Sequence, residues 1–268
     1  MSGESTSFLY PFIEAEERDA APLLAELAAS ARAKAAQSAA LQQATLAASA
    51  DQVAACAAAM AELFAAGGRM YAFGNGGSST DCATFAALFS SPPSAGTASR
   101  PLPALNLAAD QAVVTALGND VGFDLVFSRQ IIAHTRPAPI RSIAQGASIE
   151  ASGSAIGPGR SRDIAAAFST SGNSTDLMAA LREAHSRGLL TIGFAGYDGG
   201  EMASSGVVDY CFVIASQSVH RIQESQALLG YRLWAAVQRH FASAADRQEA
   251  PGTPSDPPAQ PTLQGGAR

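Results

Sequence analysis

Charge is scarce in this 268-residue sequence: Asp, Glu, Lys and Arg make up 15 %, with a formal net charge of −6. A protein that grips nucleic acid needs clustered Lys and Arg to displace counterions from phosphates, so direct nucleic-acid contact is excluded as an expectation. Cysteine is equally sparse. Cys56, Cys82 and Cys211 lie far apart with no CxxC pair, which argues against a disulfide framework or a cysteine zinc cage and for small core residues. The opening MSGESTSFLYPFIEAEERD has acidic residues where a signal peptide needs a basic stretch and an apolar run. No run of about 18 strongly apolar residues occurs; even Ala54–Ala66 is broken by Glu62. A cytoplasmic protein away from membranes is expected. Three common motifs are missing too. No Lys-Ser/Thr pair follows the first glycines, Ser79 takes the third glycine position of GxGxxG, and no GxSxG occurs, which removes the P-loop, the dinucleotide fingerprint and the nucleophile elbow.

What is plentiful is alanine and leucine, within a 47 % hydrophobic composition that is ample for a core. From Ala20 to Ala66 the spacing of Leu23, Leu24 and Leu27, and of Met60, Leu63 and Phe64, predicts helices stopped by Gly67 and Gly68. Residues 1–53 read as a helical N-terminal region, too weakly amphipathic to stand alone. Beyond it, strand and helix alternate. Arg69–Phe73, Pro103–Leu107, DIAAAFS, LLTIGFAG and VVDYCFVIA read as strands; Ser79–Ser90, Asp110–Leu117, Leu125–His134, Asp176–Arg187 and a brief later stretch read as helices, with GNDVGFD as a turn. Such alternation predicts an α/β domain over 54–242, a parallel sheet of about five strands with helices on both faces. Residues 137–162, rich in Ser, Gly, Ala and Pro, read as a flexible insertion, and 243–268, rich in Pro, as a disordered tail. No fixed-period repeat is present.

Two strand-to-helix junctions stand out: GNGGSST at Gly74–Thr80 and STSGNST at Ser169–Thr175. A helix N-terminus offers unpaired N–H groups and partial positive charge, so either is a fit seat for a phosphate. The same residue types also make ordinary turns and N-caps, and single junctions do not separate the two readings.

Taken in order with GNDVGF, GYDGGEMA and RIQES, these junctions resemble the sugar-isomerase (SIS) domain, and within it bacterial phosphoheptose isomerases, over about Ala54 to Phe241. The resemblance implies an SIS-type three-layer sandwich that assembles as a homo-oligomer, a tetramer, with a sugar phosphate as ligand. It implies that Ser169, Thr170, Ser171 and Ser174 bind the phosphate, that Asn75, Gly76 and Gly77 line the sugar, and that Asn119, Asp120 and Gln223 hydrogen-bond to it. In that family a His and a Glu four apart, with a Gln and a His eight apart on the last helix, hold zinc and move protons. Here those positions are Thr84, Leu88, Gln223 and Tyr231. The resemblance therefore implies no metal and no cofactor, because leucine neither ligates nor takes a proton.

Three readings remain open at this point. One is a sugar-phosphate-binding member of the family without its usual catalysis. A second is a sedoheptulose 7-phosphate isomerase by another route, with His220 as base and Tyr231 as acid. Tyr231 also fits a buried stripe with Leu228, Trp234, Val237 and Phe241, and His220 a helix start. The third is an oligomeric scaffold for a partner protein, as in the replication-initiator-associating branch that resembles these isomerases. Cys82 sits at the wrong angle to share a face with Thr84, and His134, His185 and His240 have no partner at metal spacing.

Overall fold

The computed structural model describes residues 20–93, 99–135 and 161–249. Residues 137–160 of the expected insertion (137–162) and 250–268 of the expected tail (243–268) lie outside the described residues. Two helices open the chain, α1 (Ala20–Ala48) and α2 (Ala50–Ala65), bent by 61° where they meet. The Ala-rich α1 leaves Leu23, Leu24 and Leu27 at 42, 57 and 62 % exposure in the order Leu23, Leu27, Leu24. By contrast α2 buries Cys56, Ala57, Met60, Leu63 and Phe64. The expected boundary at residue 53 thus falls inside a core helix: α2 belongs to the domain, because its apolar face is one wall of the core.

The alternating units follow as β1 (Met70–Gly74), α3 (Gly77–Ser90), β2 (Ala104–Asn106), α4 (Gln111–Asp120), a 3-10 turn (Phe123–Leu125) and α5 (Val126–His134). Then come β3 (Ile164–Phe168), α6 (Thr175–Ser186), β4 (Leu190–Gly196), α7 (Gly200–Ser204), β5 (Tyr210–Ile214) and α8 (Val219–Glu249). α8 runs seven residues into the stretch expected to be a disordered tail. α4 also outruns its expected end. Asp110 caps it by accepting from the Ala112 and Val113 N–H groups, and it continues through Gly118 to a stop at Gly122, whose φ of +101° leaves the helical region.

All five strands are parallel, in the order β2-β1-β3-β4-β5. Strand alternation sends Met70, Ala72, Ile164, Ala166, Phe168, Ile192 and Phe194 to a layer of α2, α3 and α8. Tyr71, Phe73, Ala165, Ala167 and Ala195 go to the other face, among Phe127, Ile131, Leu177, Met178 and Leu181 of α5 and α6. The result is a three-layer sandwich of the expected kind. Phe168 stacks on Phe194 with centroids 4.3 Å apart, and Phe85 of α3 meets both rings at 5.4 and 5.6 Å. From β1 the chain goes to one side for β2 and to the other for β3. The crevice above the ends of β1 and β3 is therefore the switch point of the sheet, where parallel α/β domains bind ligands.

Among the described residues no single helix is long and apolar enough to cross a membrane; α1 and α2 reach that composition only as a bent pair.

Candidate functional site: two junctions at the switch point

Gly74 and Phe168 are paired in register at the ends of β1 and β3, so both junctions open from neighbouring strands. The second is shaped by its own bonds. The Gly172 N–H donates to Ser169 Oγ (3.0 Å) and the Asn173 N–H to Ser171 Oγ (3.3 Å), while Asn173 Nδ2 returns to the Ser171 carbonyl (3.1 Å). Gly172 has φ +68°, and a Cβ there would overlap the Gly199 carbonyl. The turn is pinned from outside by the Gly196 N–H on the Thr170 carbonyl (3.0 Å) and by Gln226 Nε2 on the Ser169 carbonyl (2.9 Å). Ser174, the residue before α6, makes no side-chain cap bond, so its hydroxyl is not spent on the helix it precedes.

The first junction is tied to the second. Asn75 Nδ2 donates to both carboxylate oxygens of Asp176, at 3.0 and 2.8 Å, across from the first turn of α6. Asp176 is 3 % exposed; burial pushes its carboxyl up, while bonds from Asn75 and from backbone N–H groups pull it back. Gly76 turns the chain at φ +53°. Gly77 begins α3 against α8, where a Cβ would overlap Gln223 Nε2. The expected residues Asn75, Gly76, Gly77, Gln223 and Ser169–Ser174 are thus brought together by three elements.

Asn119 and Asp120 are not in a turn: they end α4, exposed, with Asn119 Nδ2 bonded to Asp120 Oδ1 at 2.8 Å. The 3-10 turn beyond them is tied to the start of α6, where Thr175 Oγ1 donates to Asp124 Oδ1 (2.8 Å). His220 is exposed in the first turn of α8. Tyr231 is 48 % exposed, against its expected place in the buried stripe, and its ring rests on Trp234 at 5.3 Å. His134, His185 and His240 are all exposed. Burial pushes the Cys82 thiol up to about 12, so it carries no thiolate at neutral pH.

One residue of the site was not singled out from the sequence. Asp81 is the only charged side chain of α3. Its Oδ2 is buried without a hydrogen-bond partner, as is Oε1 of the fully buried Gln226. Both residues line a cavity of about 50 Å³ with Thr84, Leu88, Phe168 and Gly230. Burial pushes the Asp81 carboxyl up, and a hydrogen bond from Gln223 opposes that. The signal in the sequence was a lone carboxylate in the apolar run GSSTDCATFAALFS.

An all-parallel sandwich with a Gly junction and a Ser/Thr junction at its switch point defines the class: a sugar-isomerase fold. The phosphoheptose isomerase of Neisseria gonorrhoeae superimposes with a TM-score of 0.64 at 28 % identity, covering 80 % of this chain and 99 % of that one. The Francisella tularensis enzyme gives 0.64 at 24 %, covering 78 and 97 %, and bears on the fold alone. In sequence, the phosphoheptose isomerase of Solidesulfovibrio magneticus is 34 % identical over 201 residues, 73 % of this chain and 81 % of the relative. That of Aquifex aeolicus is 33 % identical over 193 residues, 70 and 84 % of the two chains. No family model matches the chain. This chain belongs to the phosphoheptose isomerase family.

Proposed function

We propose that the protein binds a phosphorylated sugar of the heptose phosphate class in the crevice above β1 and β3. The phosphate sits at Ser169, Thr170, Ser171 and Ser174, and the sugar over Asn75, Gly76, Gly77 and Gln223, with Asn119 and Asp120 at its rim. The observation that carries this is the Ser169–Thr175 turn: its backbone is pinned by β4 and by Gln226, and Ser174 leaves its hydroxyl for a ligand at the start of a twelve-residue helix.

The family's zinc and proton-transfer chemistry does not belong to this proposal. Its four positions do not fit a zinc ion: Thr84 donates its hydroxyl to the Thr80 carbonyl (3.0 Å), Leu88 has no donor atom, Tyr231 is half exposed on Trp234, and the amide of Gln223 remains. Zinc takes imidazole, thiolate or carboxylate ligands, and among the described residues no three His, Cys, Asp or Glu side chains converge. No step is routed through a metal here.

A cytoplasmic homotetramer completes the reading. Its support is the unburied leucine face of α1 and three free cysteines, two of them buried.

Ligand-observed NMR of sedoheptulose 7-phosphate tests the binding mode. Saturation transfer is expected for the native protein, and Ser171→Ala with Ser174→Ala weakens binding by about 10- to 100-fold, the scale of hydrogen bonds to a charged group. Undiminished binding by the double variant would move the phosphate elsewhere.

A further inference from the structure

The 50 Å³ cavity behind the Ser/Thr turn holds a chemical mismatch. Asp81 and Gln226 both line it, and each has a buried oxygen, Asp81 Oδ2 and Gln226 Oε1, that has no donor. The Gln226 amide is not free to flip, because its Nε2 is committed to the Ser169 carbonyl at 2.9 Å. Leaving such acceptors unpaired costs free energy that a bound donor recovers. The cavity is too small for a sugar but large enough for a CH₂OH or CHOH unit, given that one water occupies roughly 10–15 Å³ of such a space. Asp81 is also the only ionisable side chain among the residues that line it.

We propose that Asp81 is the proton-carrying group of a metal-independent aldose–ketose isomerisation, with Gln226 Oε1 as the fixed acceptor for a hydroxyl of the reacting carbons. The inference rests on the sugar-phosphate reading above. With the phosphate at the Ser/Thr turn, the carbonyl end of an open-chain ketose phosphate reaches the cavity. Asp81 Oδ2 takes a proton from C1; the C1–H pair becomes the C1–C2 double bond and the carbonyl pair moves onto O2. The proton on O1 passes to O2, directly or through a water. Protonated Asp81 then returns its proton to C2, the double-bond pair forms C2–H, and the O1 pair closes the C1 carbonyl. Aldose and carboxylate are left, with no net gain or loss. The enediolate between them carries one O–H, a donor for Gln226 Oε1, and one oxyanion, which accepts from the proton now held on Asp81. Gln223, against Gly77 and hydrogen-bonded to Asp81, positions the carboxylate.

The test uses the full chain with sedoheptulose 7-phosphate in D₂O containing a chelator, reading saturation transfer and deuterium entry at C1 in one tube. The native protein is expected to bind and to exchange. Asp81→Asn should bind equally and exchange at least ~100-fold more slowly, and Asp81→Glu should recover at least ~10-fold over the Asn variant, the range of general acid–base effects. A merely structural role would not give that recovery. Binding by the native protein without exchange, wild-type exchange by Asp81→Asn, or equal rates in the Asn and Glu variants would overturn the inference and leave sugar-phosphate binding standing. Absence of saturation transfer from the native protein would remove both.

Discussion

Gly172→Ala is the sharpest single change available at the Ser169–Thr175 turn, the proposed phosphate seat. An L-residue at φ +68° costs about 1–2 kcal/mol in backbone strain alone. The new Cβ would also lie 2.7 Å from the Gly199 carbonyl carbon and 3.3 Å from the Gly200 nitrogen, and nearer still to the carbonyl oxygen. These neighbours are backbone atoms at the N-cap and first residue of α7, so they cannot rotate aside. Opening the gap puts at risk the Met202 N–H bond to the Gly172 carbonyl and the Gly172 N–H bond to Ser169 Oγ, each 3.0 Å, worth about 1 kcal/mol apiece. The sum is roughly 2–4 kcal/mol, a fall in Tm of about 5–15 °C for a domain of this size. Thermal unfolding followed by circular dichroism reads the first number, and saturation transfer from a sugar phosphate reads the accompanying loss of binding. A Tm within about 2 °C of the native value with binding intact would refute both the strain and the place given to this turn.

Asp81→Asn has a second expected effect, on stability. Burial raises the Asp81 carboxyl above its ordinary 3.8, so the protonated form is the one the fold favours. Its contribution is whole below about pH 3.8 and is lost as pH rises through the raised value. The Asn variant should therefore melt higher than the native protein at pH 7.5, with the difference shrinking toward pH 4; a lower Tm at pH 7.5 would contradict this. In the N-terminal helix, Leu24→Glu with Leu27→Glu puts charge on the exposed face of α1. If the proposed homotetramer forms through this face, sedimentation velocity should show smaller species than for the native protein, and an unchanged sedimentation coefficient would refute the place given to α1.

The strands were legible because each is a short apolar run closed by Gly, Ser or Asn, and the layers followed from alternation such as Met70 and Ala72 against Tyr71 and Phe73. Helix ends were less so. Gly118 reads as a stop, yet the chain carries its helix to Gly122, the residue that actually takes a positive φ. Tyr231 was misplaced by phase. The buried stripe of α8 runs through Ile222, Gln226, Leu229, Leu233 and Val237, and Tyr231 lies two residues from both Leu229 and Leu233, on the far side at 3.6 residues per turn. The order of the two junctions was readable, but not that Asn75 spends its amide on Asp176, because no local pattern records a contact across 101 residues. Asp81 and Gln226 were missed for a related reason: a charge in an apolar helix and an amide in an apolar stripe gain meaning only when both open onto one space.

The pins that hold the Ser/Thr turn come chiefly from β4, from the loop after it, and from a single amide of α8. The outer face of α3, where Thr84 and Leu88 lie, takes no part in them. In engineering terms the proposed anion seat and the proposed reaction head are separate fixtures on one frame. If the sugar phosphate binds as proposed, substitutions along α3 would rewrite what happens at its carbonyl end without loosening the pins of the Ser/Thr turn, and chemistry could change while recognition of the molecule is kept.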